Sequence, residues 1–415
     1  MSLPRHGIAN QNRALNGSAF AESWIDLLER WIGQRGLRGF DRFDVRAHPL
    51  VRAAQPYPLA RKVTTGLTDL FPTLSRHMLG IAPQENAKAF ALVALGHLRR
   101  YETTNRDVHL DRARSHLQWL LDHPSEGYAG ICWGYPFDVS GKGLSTPRNT
   151  PVEVVSEIAG EAFSLAWRIT GDETYATTVR SIAKFMEMDI PRLEWTDGTY
   201  CFAYTPGDRR RVHNASLHAA AHLVRTYAIT GERELLDLAM PAIEFTLRGQ
   251  RDDGAWPYGV HAPDDPYEAK LLSLVDHHHT GFVLRSLHEI NSVVKDARIL
   301  EQISRGFAFY RTRLFDGDGA PITMHGRYPI DIHACAEGVL CPSVLAEMSD
   351  DALPIAERTL QWTRKHLSHP VTGVPYYRKY PWFTSRLYCP RWGLAWIYYA
   401  LCEYQAASAR TDDSK

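Results

Sequence analysis

The segment from Asp276 to His279 holds four ionisable side chains in a row, and it directly precedes a long apolar stretch. Successive residues of a helix project about 100° apart, so Asp276 shares a helical face with His279 or Thr280. A carboxylate beside an imidazole can act as an acid, as a base or as a clamp for substrate. The alternative is that Asp276 caps the helix and the histidines pack among their neighbours.

Comparable polar groups open other apolar segments, at intervals of roughly 60 residues. Asp331 and His333 begin one such segment, and Glu153 and Glu157 share one helical face of another. Two carboxylates held in a confined cavity raise the pKa of one of them. The candidate catalytic residues are therefore Asp276, Asp331, His279, His333, Glu153 and Glu157.

Aromatic and polar side chains near these helix starts suit a sugar ligand. Aromatic rings stack on the apolar faces of sugars, and polar groups beside them bind hydroxyls. Trp256 and Tyr258 follow a turn and form the predicted platform, although each ring could instead pack between helices. The candidate substrate-binding residues are Trp133, Tyr135, His213, Asn214, Trp256, Tyr258, His277, Tyr377, Arg378, Arg391 and Trp392.

One metal site is conceivable, because carboxylates and imidazoles are common zinc ligands. Its ligands would be Asp276, His277 or His279, Asp331 and His333. The sequence has no H-E-x-x-H spacing that would make such a site specific. We therefore expect no bound metal and no cofactor.

The repeat also predicts the elements that position these residues. Each unit has an apolar first helix, a polar turn such as Thr170-Gly171-Asp172, an amphipathic second helix and a loop rich in Gly and aromatic residues. Six units close into a ring when the apolar helices line the inside and the amphipathic helices face water. We expect an all-α (α/α)6 toroid, with an open α-solenoid as the alternative.

A single toroid domain is expected over residues 21–408, between polar tails at 1–20 and 409–415. The sixth apolar helix reaches the end of the domain without a second helix after it. A segment from Ala21 to Gln34 is apolar on one face and could supply the missing partner. In such a ring the N-termini of the inner helices gather at one end of the central cavity.

Composition argues against several classes of protein. The 47 basic and 47 acidic residues leave no basic excess, so nucleic acid is not an expected partner. Residues 1–17 lack the apolar run of a signal peptide, and no stretch reaches the ~18 apolar residues of a membrane helix. The six cysteines form no C-x-x-C pair. We expect reduced thiols, a cytoplasmic location and no membrane insertion, while the sequence does not predict an oligomeric state.

A family resemblance rests on four segments in this order: His213-Asn214-Ala215, Gln250 to Gly259, Val275 to Phe282 and Tyr328 to His333. From about Thr150 to the C-terminus, the chain resembles the VpsJ-like proteins of bacterial exopolysaccharide gene clusters. The resemblance implies a six-hairpin toroid and a role in making or modifying exopolysaccharide, without a settled reaction. More distantly, the architecture is similar to six-hairpin glycosidases, unsaturated-uronide hydrolases and sugar epimerases.

The preferred hypothesis is a carbohydrate-active enzyme of exopolysaccharide biosynthesis that binds a glycan or glycosyl intermediate. Hydrolysis by Asp276 and Asp331 is one option. Lyase or epimerase chemistry at a uronic acid is another, with Arg391, Arg378 or His279 neutralising the carboxylate. The alternatives are a non-catalytic glycan-binding protein of the same pathway and a terpenoid-cyclase-like α/α barrel, although the chain lacks the Asp-x-Asp-Asp motif of those cyclases.

Overall fold

The computed structural model describes residues 17–141, 144–262 and 269–413, and within them no helix combines the length and apolar character needed to cross a membrane. The α-helices of these residues are α1 (Gly17–Arg35), α2 (Pro49–Ala54), α3 (Pro58–Leu70), α4 (Pro72–Met78), α5 (Ala87–Thr104), α6 (Asp107–Asp122), α7 (Glu153–Thr170), α8 (Glu173–Met188), α9 (His213–Thr230), α10 (Arg233–Arg248), α11 (Ala269–Leu272), α12 (His277–Val294), α13 (Ala297–Arg313), α14 (Ile332–Val344), α15 (Ala352–His366) and α16 (Ala395–Asp413).

The inner wall of the molecule is a closed ring of helices. Around the ring the order is α5, α7, α9, α12, α14 and α16, and α16 packs against α5. The outer helices α6, α8, α10, α13 and α15 each pack on the inner helix that precedes them. The predicted (α/α)6 toroid is therefore confirmed, and the open solenoid is wrong because the two ends of the repeat are in contact.

The N-terminal helix α1 packs on α16 as its outer partner. Trp24 is buried, and its Nε1 donates to the carbonyl oxygen of Gly373 at 2.8 Å. Tyr398 on α16 donates its hydroxyl to Glu29 on α1 at 2.9 Å. These contacts give the sixth inner helix the partner that the sequence predicted for it.

Burial differs between the two layers as amphipathicity requires. The inner helix α9 is buried from His213 to Thr226, whereas the outer helix α8 buries only one stripe that includes Val179, Ile182 and Met186. Gly160 lets α7 approach α9, because a Cβ there would lie 2.3 Å from the ring of His222. Close packing of this kind fixes the orientation of the inner helices.

Side-chain caps begin three of the inner helices. Asn86 Oδ1 accepts from the Lys88 backbone N–H at 3.1 Å. Asp276 caps α12 and Asp331 caps α14, with backbone N–H groups 3.0 Å away in both cases. The two aspartates therefore have the capping role that the sequence left open.

Short antiparallel ladders tie the loops that precede the inner helices. The strands are β1 (Val139–Gly141), β2 (Leu144–Thr146), β3 (Arg192–Glu194), β4 (Tyr200–Phe202), β5 (Arg211–Val212), β6 (Gly259–Val260), β7 (Ile330–Asp331), β8 (Arg378–Lys379) and β9 (Thr384–Ser385). Strand β7 pairs with β8, which pairs with β9, and this register puts Asp331 opposite Arg378. The ladder thereby brings residues of two hairpins to one edge of the ring.

Candidate functional site

A cavity of about 880 Å³ lies at the end of the ring where the inner helices begin. The loops and first helical turns of several hairpins line it. Of the predicted site residues, the following line the cavity: Tyr135, Asn214, Tyr258, Asp276, His277, His279, Asp331, His333, Arg378 and Trp392.

Asp276 and His279 form a close carboxylate–imidazole pair on this wall. Asp276 Oδ2 lies 2.6 Å from His279 Nδ1, and Asp276 Oδ1 lies 3.3 Å from His278 Nδ1. Burial alone would raise the pKa of Asp276, but the charges of His278 and His279 and the hydrogen bonds from His279 outweigh it and hold that pKa well below its usual range. An ionised carboxylate only accepts, so His279 donates from Nδ1 and keeps the Nε2 lone pair for another proton.

Asp331 is held between cationic and indole donors. Arg378 Nη2 lies 2.7 Å from Oδ2, Trp392 Nε1 donates to Oδ1 at 2.6 Å, and Arg42 Nη1 lies 3.7 Å from Oδ2. Burial would raise the pKa of Asp331, but the charges of Arg378 and Arg42 outweigh it and lower that pKa. This carboxylate is thus ionised and positions the groups around it.

His333 presents a neutral imidazole beside the Asp276 group. It is buried, and neither ring nitrogen has a hydrogen-bond partner among the described residues. Its ring centroid lies 5.0 Å from that of His278 and 4.2 Å from that of Trp392. Burial, followed by the charge of His278, holds the pKa of His333 well below its usual value. His333 therefore lines the cavity with two ring nitrogens that have no hydrogen-bond partner among the described residues.

Lys88 is an ionisable side chain that the sequence reasoning missed. It lies in the first turn of α5, lines the cavity and is buried, with Nζ 5.2 Å from the ring centroid of Trp396. Burial and then the charge of Arg391 lower the pKa of Lys88 to about 7. The sequence did indicate this residue, because Lys88 is a charged side chain in the Ala-rich stretch that begins the first inner helix of the repeat.

Tyrosines and an amide form another part of the wall, next to His279. Asn214 Nδ2 donates to the Tyr204 hydroxyl at 3.1 Å. The Tyr258 ring lies 4.4 Å from that of His279, measured between centroids. These side chains offer hydroxyl and amide groups beside aromatic faces, as sugar recognition requires.

His277 also lines the cavity, but its ring packs against Tyr310 in the protein interior. Its Nδ1 lies 3.1 Å from the Tyr310 hydroxyl, and burial followed by the charge of His278 lowers the pKa of His277 to about 3. His278, which the sequence reasoning left out of the candidate set, lies between His279 and His333. The orientation of adjacent histidines depends on the helix phase, which the sequence did not fix.

Glu153 and Glu157 do not line the cavity, which corrects the expectation that they face substrate. Glu157 Oε2 lies 2.9 Å from His218 Nδ1, and Arg225 Nη2 donates to Oε1 at 2.8 Å. Burial would raise the pKa of Glu157, but the charges of His218 and Arg225 outweigh it and lower that pKa. Burial and then the charge of Glu157 raise the pKa of Glu153, which is fully buried. The pair therefore belongs to the interior of the ring.

The predicted substrate contacts of Trp133 and of Trp256, one half of the Trp256–Tyr258 platform, are also corrected, whereas Tyr258 lines the cavity. Trp133 donates from Nε1 to the Leu120 carbonyl at 2.9 Å, and Trp256 donates to the Thr246 carbonyl at 2.9 Å. Both rings are buried, with 1% and 2% exposure, so they pack between helices. Buried indoles need an acceptor for Nε1, and a backbone carbonyl near the end of the preceding outer helix, α6 or α10, provides it.

Three further predicted contacts lie behind the cavity wall. His213 is buried against the Phe245 ring at 5.2 Å between centroids. Tyr377 is buried behind Arg378, whose guanidinium lies 4.7 Å from the ring centroid. Arg391 is buried and paired with Asp41, with Nη2–Oδ1 at 2.7 Å.

One set of ligand atoms on the wall has spacing compatible with a metal ion. These atoms belong to Asp276, His278 and His279 and lie within 4.8 Å of one another. The Asp276 oxygens already accept hydrogen bonds from His279, so a metal would have to replace the Asp276–His279 contact. The donor set alone does not call for an ion.

Solved structures with the same fold include several carbohydrate-active enzymes. Cellobiose 2-epimerase from Bacillus thermoamylovorans has a TM-score of 0.61 at 11% identity, over 78% of this chain and 87% of that one. The GH76 α-mannanase of Bacteroides thetaiotaomicron has a TM-score of 0.56 at 12% identity, over 80% of this chain and 88% of that one. A polysaccharide lyase has a TM-score of 0.57 at 12% identity, over 96% of this chain and 99% of that one.

At these identities the similarity establishes the fold, the (α/α)6 toroid. No protein-family model matches the sequence, and no curated protein matches it either.

Proposed function

We propose that this protein is an enzyme that acts on a glycan or glycosyl intermediate during exopolysaccharide biosynthesis or modification. Its reaction would move protons by imidazole chemistry, as an epimerase or a lyase does. The pathway is suggested by the resemblance to VpsJ-like proteins. A cytoplasmic location is part of the same proposal.

The observation behind this proposal is the pairing of Asp276 with His279 in the cavity. The 2.6 Å contact between Asp276 Oδ2 and His279 Nδ1 orients the imidazole and stabilises its protonated form. His279 Nε2 is then the base. A supporting carboxylate of this kind is a recurring arrangement in enzymes that use histidine.

The neighbouring groups supply the other parts of a proton-transfer reaction. His279 Nε2 would remove a proton from the carbon next to a sugar carbonyl or carboxylate, and the electron pair would move onto the adjacent oxygen. Arg378 lines the same cavity and would stabilise that oxyanion. Return of a proton to the opposite face, from the protonated form of Lys88, gives an epimer. Loss of a leaving group at the next carbon instead gives an unsaturated product.

Hydrolysis by two carboxylates receives less support from the same geometry. That reaction needs one carboxyl that carries a proton for the leaving group. The pKa values of Asp276 and Asp331 are both lowered, so neither carboxyl carries that proton near neutral pH.

The test is to incubate the protein with depolymerised exopolysaccharide, free uronic-acid oligosaccharides and glycosyl diphosphates in D2O. Proton NMR then follows exchange of the sugar C–H, and ultraviolet absorbance follows an unsaturated product. We expect exchange or elimination with wild-type protein and loss of both with His279→Gln. Two outcomes would refute the proposal: new reducing ends without C–H exchange, and unchanged turnover in Asp276→Asn and Asp331→Asn.

Binding without any turnover would favour a non-catalytic glycan-binding protein. A matched control is His123→Gln, because His123 is exposed at the end of α6 and outside the cavity lining. That variant should retain wild-type turnover, since its imidazole contacts neither the cavity nor Asp276.

A further inference from the structure

The helices α2, α3 and α4, inserted between α1 and the first inner helix, expose a broad apolar face. Seven large apolar side chains of this segment are between 51% and 79% exposed: Leu50, Tyr57, Leu59, Val63, Leu67, Leu74 and Met78. A contiguous exposed apolar patch marks a surface that binds a partner or a membrane.

Helix α3 shows that no described residue covers this face. Leu59, Val63 and Leu67 are spaced four residues apart and form one stripe, and α3 has no buried residue. An isolated helix of this length is marginal in water, so most of its stability has to come from packing its apolar face. The amphipathic pattern is that of a helix that lies in an interface.

The charges that border this face are basic. Arg52 and Lys62 are exposed, and neither has a carboxylate oxygen within 4.0 Å among the described residues. Asp69, the only acidic residue of α2–α4, accepts a hydrogen bond from the Tyr380 hydroxyl. A second copy of the chain would bring basic side chains against basic side chains, whereas anionic lipid headgroups complement them.

The same segment adjoins the entrance of the cavity. Arg42 and Arg46 line the cavity and directly precede α2 in the chain. The hydrogen bond between Asp69 and Tyr380 joins α3 to the β8–β9 hairpin, which bears the cavity residue Arg378. A surface in contact with α3 therefore lies beside three arginines that face the cavity.

These arginines form a site suited to an anion. Arg42 Nε is buried without a hydrogen-bond partner among the described residues, and its guanidinium lies 4.4 Å from the Trp392 ring centroid. Asp331 is the nearest carboxylate to both Arg42 and Arg378, so positive charge remains in excess. Arginine is the side chain that best matches a phosphate geometrically.

We infer that α2–α4 docks on an anionic membrane surface, and that Arg42 and Arg46 bind the phosphate of a lipid-linked glycan whose sugar enters the cavity. The membrane docking is independent of any reaction. The identity of the ligand as a lipid-linked glycan rests on the proposed function.

The experiment is co-sedimentation of the full chain with vesicles of phosphatidylcholine, with and without phosphatidylglycerol. Wild-type protein should bind the anionic vesicles and lose binding as salt rises. Leu59→Ser/Leu67→Ser/Leu74→Ser, and separately Arg52→Glu/Lys62→Glu, should each weaken binding by about tenfold or more. Met188→Ser/Val371→Ser is the matched control, because these side chains are 70% and 73% exposed and lie outside α2–α4.

Absence of vesicle binding by wild-type protein would overturn the docking, whatever its activity. A dimer in light scattering that the triple Leu→Ser variant converts to monomer, without vesicle binding, would identify a second copy as the occupant and also overturn it. Circular dichroism and the thermal midpoint check that the variants fold.

A second arm compares glycosyl diphosphates on a polyisoprenoid chain in vesicles with nucleotide diphosphate sugars in solution. The triple Leu→Ser variant should lose affinity only for the former, and Arg42→Gln for both. Equal affinity of wild-type protein and the triple variant for the vesicle-borne ligand would overturn the lipid-linked assignment and leave the proposed enzyme activity untouched.

Discussion

His279 Nδ1 lies 2.6 Å from Asp276 Oδ2, while the other oxygen of the same carboxylate accepts the His279 backbone N–H at 3.0 Å. Asp276 therefore caps α12 and orients an imidazole in the cavity at the same time. The structural and chemical interpretations of this residue are compatible, and substitutions can separate them.

Asp276→Asn should keep the helix cap of α12 while removing the negative charge beside His279. Asparagine caps a helix about as well as aspartate, so the thermal midpoint should change little. The imidazolium of His279 loses its stabilising charge, and we expect turnover to fall by about 100- to 10,000-fold. Asp296→Asn is the control, because Asp296 caps α13 by accepting from the Arg298 N–H at 2.8 Å, outside the cavity. Equal turnover in wild-type protein and Asp276→Asn would contradict a role in chemistry.

His333→Leu should lower activity without lowering stability. The buried imidazole has no hydrogen-bond partner among the described residues, and an apolar side chain there avoids a desolvation cost of about 1–3 kcal/mol. We expect an unchanged or higher free energy of unfolding in urea, together with lost turnover. His213→Leu is the matched control, because the buried Nε2 of His213 also lacks a partner among the described residues but its ring lies behind the cavity wall. A fall in activity for both variants alike would point to packing rather than to contact with substrate.

Lys88→Met should change how stability depends on pH. Burial and the charge of Arg391 lower the pKa of Lys88 to about 7 in the folded chain, against about 10.4 in an unfolded chain. Between these two pKa values the unfolded chain binds more protons than the folded chain. This lysine therefore makes the free energy of unfolding rise with pH from about 7 to 10, by up to about 1.4 kcal/mol per pH unit. Below pH 7 the lysine is protonated in both states and adds no further pH dependence.

Urea unfolding of wild-type protein and Lys88→Met at pH 7, 8.5 and 10 measures that difference. The variant should be the more stable at pH 7, and the two curves should converge by pH 10. Lys62→Met, at an exposed site on α3, should follow the wild-type curve throughout. Parallel curves for wild-type protein and Lys88→Met would show that Lys88 keeps an ordinary pKa.

The ring was predictable because repeat spacing and helical periodicity are local properties of the sequence. The spacing of Asp276 and Asp331 also predicted that both residues lie at the starts of inner helices around one cavity. The sequence did not predict the rotation of each helix about its own axis, because that rotation depends on packing against both neighbouring helices. That rotation turns Glu157 toward Arg225 in the interior and brings Lys88 to the wall.

The aromatic loops show a second limit. Trp133 and Trp256 occupy corresponding loops of two hairpins, and each donates its indole N–H to a backbone carbonyl at 2.9 Å. The sequence contains the same pattern for a structural tryptophan and for one that stacks on a sugar. What separates the two is whether the folded loop places the indole beside an acceptor carbonyl, which here lies on the preceding outer helix, α6 or α10.

Ring closure by α1 gives the last prediction, which concerns Trp24. This indole is 1% exposed, donates to the Gly373 carbonyl at 2.8 Å and packs against a glycine that has φ of 73°. A Cβ at Gly373 would lie 2.9 Å from Trp24 Cδ1, so the contact depends on both residues. Trp24→Ala should lower the free energy of unfolding by about 3–5 kcal/mol, because it leaves a cavity between α1 and the ring.

Trp382→Ala is the control for that measurement, since Trp382 is 91% exposed and should be neutral. Deleting residues 1–35 should have a larger effect than Trp24→Ala, because α16 then loses its outer partner. Calorimetry should show a lower midpoint and a less cooperative transition for the deletion. A deletion that unfolds like the full chain would mean that the ring of inner helices is stable without α1.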